Sequence, residues 1–252
     1  MIAAEADLHL FRHLASLRRT VLTYRDLLPH WKIQTTANRF GAERRIWWTW
    51  RHGPIAGWQV QQIIKMAAAE WAKEEALLYC DSDMFFVRGV DLNGFWRGPN
   101  LRMLRSSEAG VPEGPPHSDF VTTSLAALKI SPVPEKTHGY IDNAVTWHGS
   151  LVKQMLNHVT ETHGRHWCEY LSKPAGISEY TLYGYFADYV AGEAAPVFHD
   201  SQSLCKTRWN KDDSETVAAF CSKLDPGHVA LAFQSFLDAD QATLNRVFEA
   251  SV

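Results

Sequence analysis

Asp81-Ser82-Asp83 sets two carboxylates one residue apart at the end of an apolar run, in LLYCDSDMFF at 77–86. Carboxylates so close repel each other, and taking the pair even partly out of water without compensation is costly. A divalent cation relieves both difficulties. Mg²⁺ or Mn²⁺ takes one or two carboxylates from protein and completes its shell with phosphate oxygens and water. Such an ion makes a diphosphate a better leaving group by neutralising the charge that grows on the departing oxygen. The spacing therefore points to chemistry on a nucleotide-linked substrate.

Chance alone also produces such pairs, and the chain supplies its own comparison. Asp238-Ala239-Asp240 follows the apolar run HVALAFQSFL, with Gln241 three residues after Asp238 at the start of QATLNRVFEA. That is the pattern of a helix-capping box. Asp81 has no such helix to cap: MFFVRGVDL is apolar and β-prone, so the first pair is predicted to close a strand.

The elements that must position it alternate. Apolar spacing predicts helices over 7–23, 57–75, 150–162, 178–190, 213–224 and 241–248. Strands are predicted over 32–36, 44–50, 76–80, 101–107, 125–130, 144–147, 196–199 and 228–235. EAGVPEGPPHS, rich in Gly and Pro, reads as a surface loop. The alternation implies an α/β fold with a mainly parallel sheet covered by helices on both faces, whose ligands gather at the carboxyl ends of the strands. With no repeat or linker, the 252 residues predict a single domain.

Composition narrows the classes. A net charge of -3 gives no basic face for nucleic acid. No run of eighteen apolar residues predicts an integral membrane segment, and the N-terminus lacks the order of a signal peptide, so a cytoplasmic location is expected. Cys80, Cys168, Cys205 and Cys221 form no CxxC pair and are expected to be reduced and mostly buried.

The order helix, apolar strand, D-x-D and FFVR, in GWQVQQIIKMAAAEWAKEEALLYCDSDMFFVRGVD, resembles the nucleotide-diphospho-sugar glycosyltransferases of the GT-A fold, including glycogenin-like enzymes. A bacterial group in that superfamily pairs a GW-x-x-QQ-x-x-K helix and D-x-D with a later SEYxLYG. This chain has GWQVQQIIK at 57–65 and SEYTLYG at 178–184. The resemblance implies transfer of a sugar from a nucleotide-diphosphate donor to a saccharide or other hydroxyl acceptor, with Mn²⁺ or Mg²⁺ as cofactor. It implies that Asp83 ligates the metal directly, and that Asp81 helps hold metal or donor ribose. Lys65 is implied to face the donor, and Gln61 and Trp58 share its helix edge. Alternatively, the same face is simply solvated.

YIDNAVTWH resembles the segment beside the acceptor in glycogenin-like enzymes, which places Asn143 there, although Ala144-Val145 replace the usual small-Gly pair. A turn asparagine is the alternative. Glu179 falls where related enzymes carry an acidic residue near the acceptor, as a ligand or general base; Ser178 before it reads as an N-cap. His199, His228 and Gln234 are the candidates for a third metal ligand, while Trp47, Trp48 and Trp50 beside Arg51 and His52 form an aromatic cluster able to cover a sugar face. The residues IAAEA before the first helix leave little room for the strand that grips the nucleobase in that family, so the base is unassigned.

Two other functions fit a D-x-D after an apolar strand. One is a haloacid-dehalogenase-like Mg²⁺-dependent phosphatase, with Lys211-Asp212-Asp213 imitating its later acidic motif. In that family, however, the first aspartate lies near the start of the domain, and Thr or Val stands where this chain has Phe85. The other is a non-catalytic nucleotide-sugar-binding domain of the same fold.

Overall fold

In the computed structural model, the described residues are 1–29, 32–36, 44–48, 55–107, 114–173, 176–208, 217–233 and 245. Packing divides the chain into two compact units: Met1–Glu74, Glu113–Val133 and Gly149–Val190 form the first, and Glu75–Pro112, Pro134–His148 and Ala191–Val252 the second.

The first unit opens with β1 (Ile2–Ala3), paired in parallel with β2 (Leu22–Thr23). Between them, the helix expected over 7–23 shortens to the single turn α1 (Leu8–Phe11), flanked by 3-10 turns. No side chain caps its start. Ser16 and Arg19 then exchange backbone hydrogen bonds that fold the chain back and leave Leu17 in solvent. A capping box between Thr23 and Asp26 starts α2 (Tyr24–Leu27). An antiparallel sheet of β3 (Lys32–Thr36), β4 (Arg44–Trp48) and β5 (Ile55–Ala56) follows.

The alanine-rich stripe forms α3 (Gly57–Trp71), which buries Val60, Ile63, Ile64, Met66, Ala67 and Ala69. A second helix, α4 (His117–Leu128), replaces the strand expected over 125–130. Its buried residues, Phe120, Ser124, Ala127 and Leu128, recur at helical spacing rather than alternating. The remaining helices are α5 (Gly149–His163), α6 (Trp167–Leu171) and α7 (Glu179–Tyr185), the last continuing as a π-helical turn over Phe186–Ala191. α3 packs on α5, and α4 on α7. Ile63, Met66, Leu151 and Met155 are fully buried there, and each such side chain contributes about 1.5–3 kcal/mol.

The second unit holds β6 (Ala76–Cys80), β7 (Met84–Phe86), β8 (Trp96–Arg97), β9 (Asn100–Leu104), β10 (Ala144–His148), β11 (Val197–Asp200), β12 (Cys205–Arg208), α8 (Val217–Ser222) and β13 (Ala230–Phe233). β10 runs antiparallel to β6; β9 lies between a parallel β11 and an antiparallel β8; β13 lies between a parallel β12 and an antiparallel β7. Phe95, Leu101, Ala144, Cys205, Ala230 and Ala232 share its core.

The mainly parallel sheet expected from the alternation of elements is not what forms. The architecture is mixed α/β: the described strands make five sheets of two or three strands, and five of the eight pairings are antiparallel. Connection lengths give the reason. A parallel crossover needs about a dozen residues, whereas only 81–83 separate β6 from β7 and only Gly98-Pro99 separate β8 from β9. Such links send each strand to a different partner or straight back.

Candidate functional site

Strand register builds the D-x-D turn. Cys80 pairs with Ala144 in the antiparallel β6–β10 ladder, so one step further Asp81 meets Asn143, and its N–H donates to the Asn143 carbonyl at 3.0 Å. In the β7–β13 ladder Met84 pairs with Ala232, so Asp83 meets Phe233, whose N–H donates to the Asp83 carbonyl at 3.1 Å. Both aspartates are thus pinned through their backbones, and both side chains are half-buried. The turn leads into a strand rather than a helix, so the pair caps nothing, as its sequence context predicts.

Asn143 is buried at 1% exposure, and its side-chain amide donates to Thr207 Oγ1 at 2.8 Å. Beside it lies a buried carboxylate, Asp142. Its Oδ1 accepts the Asn143 N–H at 2.8 Å, and its Oδ2 accepts the Ser203 hydroxyl at 2.6 Å. Burial pushes the Asp142 carboxyl up to about 6, against the opposing pull of Ser203, the Asn143 backbone and Arg102. Arg102, itself buried, donates through Nε to Asp200 Oδ2 at 2.8 Å and through Nη2 to the Gln202 carbonyl. Asp200 is held below the usual carboxylate range because the Gln202 N–H and Arg102 together outweigh its burial.

Negative potential collects at this edge. Burial and then the charges of Asp142 and Asp83 push the Cys205 thiol up to about 12, and burial followed by Asp81 raises Cys80. Three carboxylates therefore act on two neighbouring thiols.

Among the described residues no group of three or more His, Cys, Asp or Glu side chains could hold a metal ion. The donor set at Asp81 and Asp83 instead suits Mg²⁺ or Mn²⁺ that completes its shell with phosphate oxygens and water. Of the third-ligand candidates, exposed His199 has Nδ1 at 3.2 Å from Arg105 Nη1. His228 lies beyond the end of β13 away from Asp83, where its Nδ1 accepts the Asp225 N–H at 3.2 Å. Burial holds its imidazole below the usual range despite Asp225. Gln234 lies outside the described residues, as do Trp50, Arg51, His52, Lys211-Asp212-Asp213 and Asp238 to Gln241. Trp47 is 3% exposed and packs its ring at 4.8 Å from that of Tyr24, so it belongs to the core.

In the first unit, the helix and SEYTLYG motifs meet. Lys65 Nζ lies 3.0 Å from Glu179 Oε1 and donates to the Tyr180 hydroxyl at 2.8 Å. Ser178 caps α7, its hydroxyl accepting the Thr181 N–H at 3.3 Å. Glu179 is 1% exposed; Gln61 is exposed, and Trp58, 48% exposed, stacks on Phe120 with ring centroids 5.4 Å apart. The structure therefore brings Lys65 together with Glu179 in the first unit and Asp81 together with Asn143 in the second, where Asp83 is held by Phe233.

Sequence reasoning missed Asp142, Ser203 and Thr207. A usable signal existed for the first: an acidic residue two before the buried run AVTWH must find partners or lose its charge. Thr207 stands in the strand CKTR and Ser203 two residues before it, in a stretch, SLCKTR, whose mixed polarity gives no period.

The family described as "Family of unknown function (DUF6492)" matches residues 3–223. No curated protein matches the chain.

Proposed function

The chain belongs to DUF6492, and for this member we propose a metal-dependent glycosyl transfer from a nucleotide-diphosphate sugar to a hydroxyl acceptor. The observation that carries the reading is the D-x-D turn, whose two half-buried carboxylates sit on a backbone fixed at both positions and serve no helix. Asp81 and Asp83 would hold the metal and with it the donor diphosphate. When bound, the cation supplies charge neutralisation on the departing diphosphate oxygen. The Asn143 carbonyl and the Phe233 N–H keep the turn from opening as the carboxylates are drawn together.

On the strength of the shared motifs, Lys65, Gln61 and Trp58 are assigned to the donor, Asn143 to the acceptor side, and Glu179 to the acceptor hydroxyl as ligand or base. A cytoplasmic place of action is part of the same proposal. No described helix is long and apolar enough to cross a membrane.

The test is a screen of nucleotide sugars by calorimetry, with and without Mn²⁺, on wild type and Asp83→Asn. Metal-dependent donor binding in the wild type that Asp83→Asn loses is the expected result. Equal donor binding in all four conditions overturns the D-x-D assignment. Release of inorganic phosphate in place of a nucleoside diphosphate points to the phosphatase, and binding without transfer across a broad acceptor panel to a binding domain.

A further inference from the structure

Asp142 is 5% exposed, and the chemistry proposed above makes no direct use of it. Burying a carboxylate costs several kcal/mol unless hydrogen bonds and charges compensate. Its compensation has a direction. Ser203, just before β12, donates to Oδ2; the Asn143 N–H donates to Oδ1; the Asn143 carbonyl accepts the Asp81 N–H. A continuous run of hydrogen bonds thus leads from Ser203 to the first aspartate of the D-x-D turn, and the bond from Asn143 to Thr207 ties it back to β12.

We propose that Asp142 is a positioning residue for a divalent cation at Asp81 and Asp83, its carboxylate fixing Asn143 and Asn143 fixing the turn. The proposal rests on the reading of the D-x-D pair as a cation site. Groups that orient a metal site from behind its ligands commonly matter roughly 10–100-fold in metal affinity.

The Ser203 hydroxyl makes the arrangement sensitive to charge. It has one proton and two acceptors within reach, Asp142 Oδ2 at 2.6 Å and the Cys205 carbonyl at 2.5 Å. With Asp142 charged, the proton points to the carboxylate. With Asp142 protonated, the acid donates to the Ser203 oxygen and the hydroxyl turns to Cys205. Among the described residues, the charge of Arg102 from β9 acts on Asp142, and Asp142 and Asp83 both act on the Cys205 thiol from β12. Because burial lifts Asp142 to about 6, the two arrangements exchange in an accessible pH range.

The experiment titrates Mn²⁺ alone into the full chain between pH 5 and 8, reading free Mn²⁺ by electron paramagnetic resonance, for wild type, Asp142→Asn, Ser203→Ala and Asp83→Asn. Asp142→Asn is expected to bind roughly 10–100-fold more weakly. Wild-type affinity should fall as pH drops through about 6. The midpoint of that fall should move upward in Ser203→Ala, which loses a donor to the carboxylate and so raises its pKa. Should Asp142→Asn fail to fold, the Ser203→Ala midpoint decides. Wild-type affinity and an unmoved midpoint in the Asp142 and Ser203 variants, with binding lost in Asp83→Asn, overturn the positioning role and leave the cation site standing. No Mn²⁺ binding by the wild type overturns both.

Discussion

The backbone N–H of Asp81 donates to the carbonyl oxygen of Asn143 at 3.0 Å, one step beyond the pairing of Cys80 with Ala144. An antiparallel ladder therefore delivers YIDNAV to the D-x-D turn. A parallel neighbour for β6 would have set Asn143 at some other height. The departure from the expected sheet is thus what assembles the second unit's cluster of Asp81, Asn143, Asp142 and Thr207.

Asp83→Asn removes one charge from the pair with little change in shape. Loss of a group that stabilises charge on a leaving oxygen costs on the order of 3 kcal/mol, or roughly a hundredfold in rate. Steady-state release of nucleoside diphosphate in the presence of Mn²⁺ should fall by about that factor. A loss under roughly tenfold, by the same conversion, would make Asp83 peripheral.

Legibility in the sequence follows how local each signal is. α3 and α5 were readable because their apolar stripes are long and helical in period, and β6 and β10 because their runs are short and β-prone. α4 was misread as a strand over 125–130, since SLAALKI shows a dense apolar run once the anchoring Phe120 is left out. Partner choice was not readable at all. Nothing in ALLYC or AVTWH says whether they run parallel, and that choice decides which residues surround Asp81. The same gap hid Ser203, which lies 61 positions along the chain from Asp142.

Lys65→Met leaves Glu179 buried without its ammonium partner. Breaking one side of a buried ion pair costs about 3–5 kcal/mol, and the 20% exposure of the Lys65 side chain sets the loss towards the low end. Thermal unfolding should show a drop of about 6–12 °C. The double variant Lys65→Met/Glu179→Gln should recover much of it, because no lone charge remains. A single variant as stable as the wild type would show that water already screens the pair.

Asp142 gives stability a pH slope of defined sign. Its carboxyl rises from 3.8 in the unfolded chain to about 6 when folded, so the folded state holds the proton more tightly. The associated stability, about 3 kcal/mol, is complete below pH 3.8 and is lost as pH rises through about 6. Asp142→Asn should remove this slope, because no carboxyl is left to titrate. In urea titrations the difference between wild type and variant should grow in the variant's favour from pH 4 to pH 7. Weaker Mn²⁺ binding together with higher neutral-pH stability would mark a residue kept for the site at the expense of the fold. A difference that does not change with pH would show that Asp142 is charged throughout that range.

Gly176 holds the approach to α7 with φ of +76°, and a Cβ built there would lie 2.9 Å from the Asp119 Cβ on α4. Two costs combine in Gly176→Ala. The left-handed backbone penalises an L side chain by about 1–2 kcal/mol, and the contact forces α4 or the segment before Ser178 to shift. Gly164 separates them: its φ is +61°, but nothing lies within 4 Å of its Cβ position. Urea unfolding should therefore show Gly164→Ala losing about 1–2 kcal/mol and Gly176→Ala clearly more. The excess measures how tightly α4 is pressed against the chain that leads to Ser178 and Glu179. Equal losses in the two variants would mean that this approach yields without cost and that Gly176 serves only its own turn.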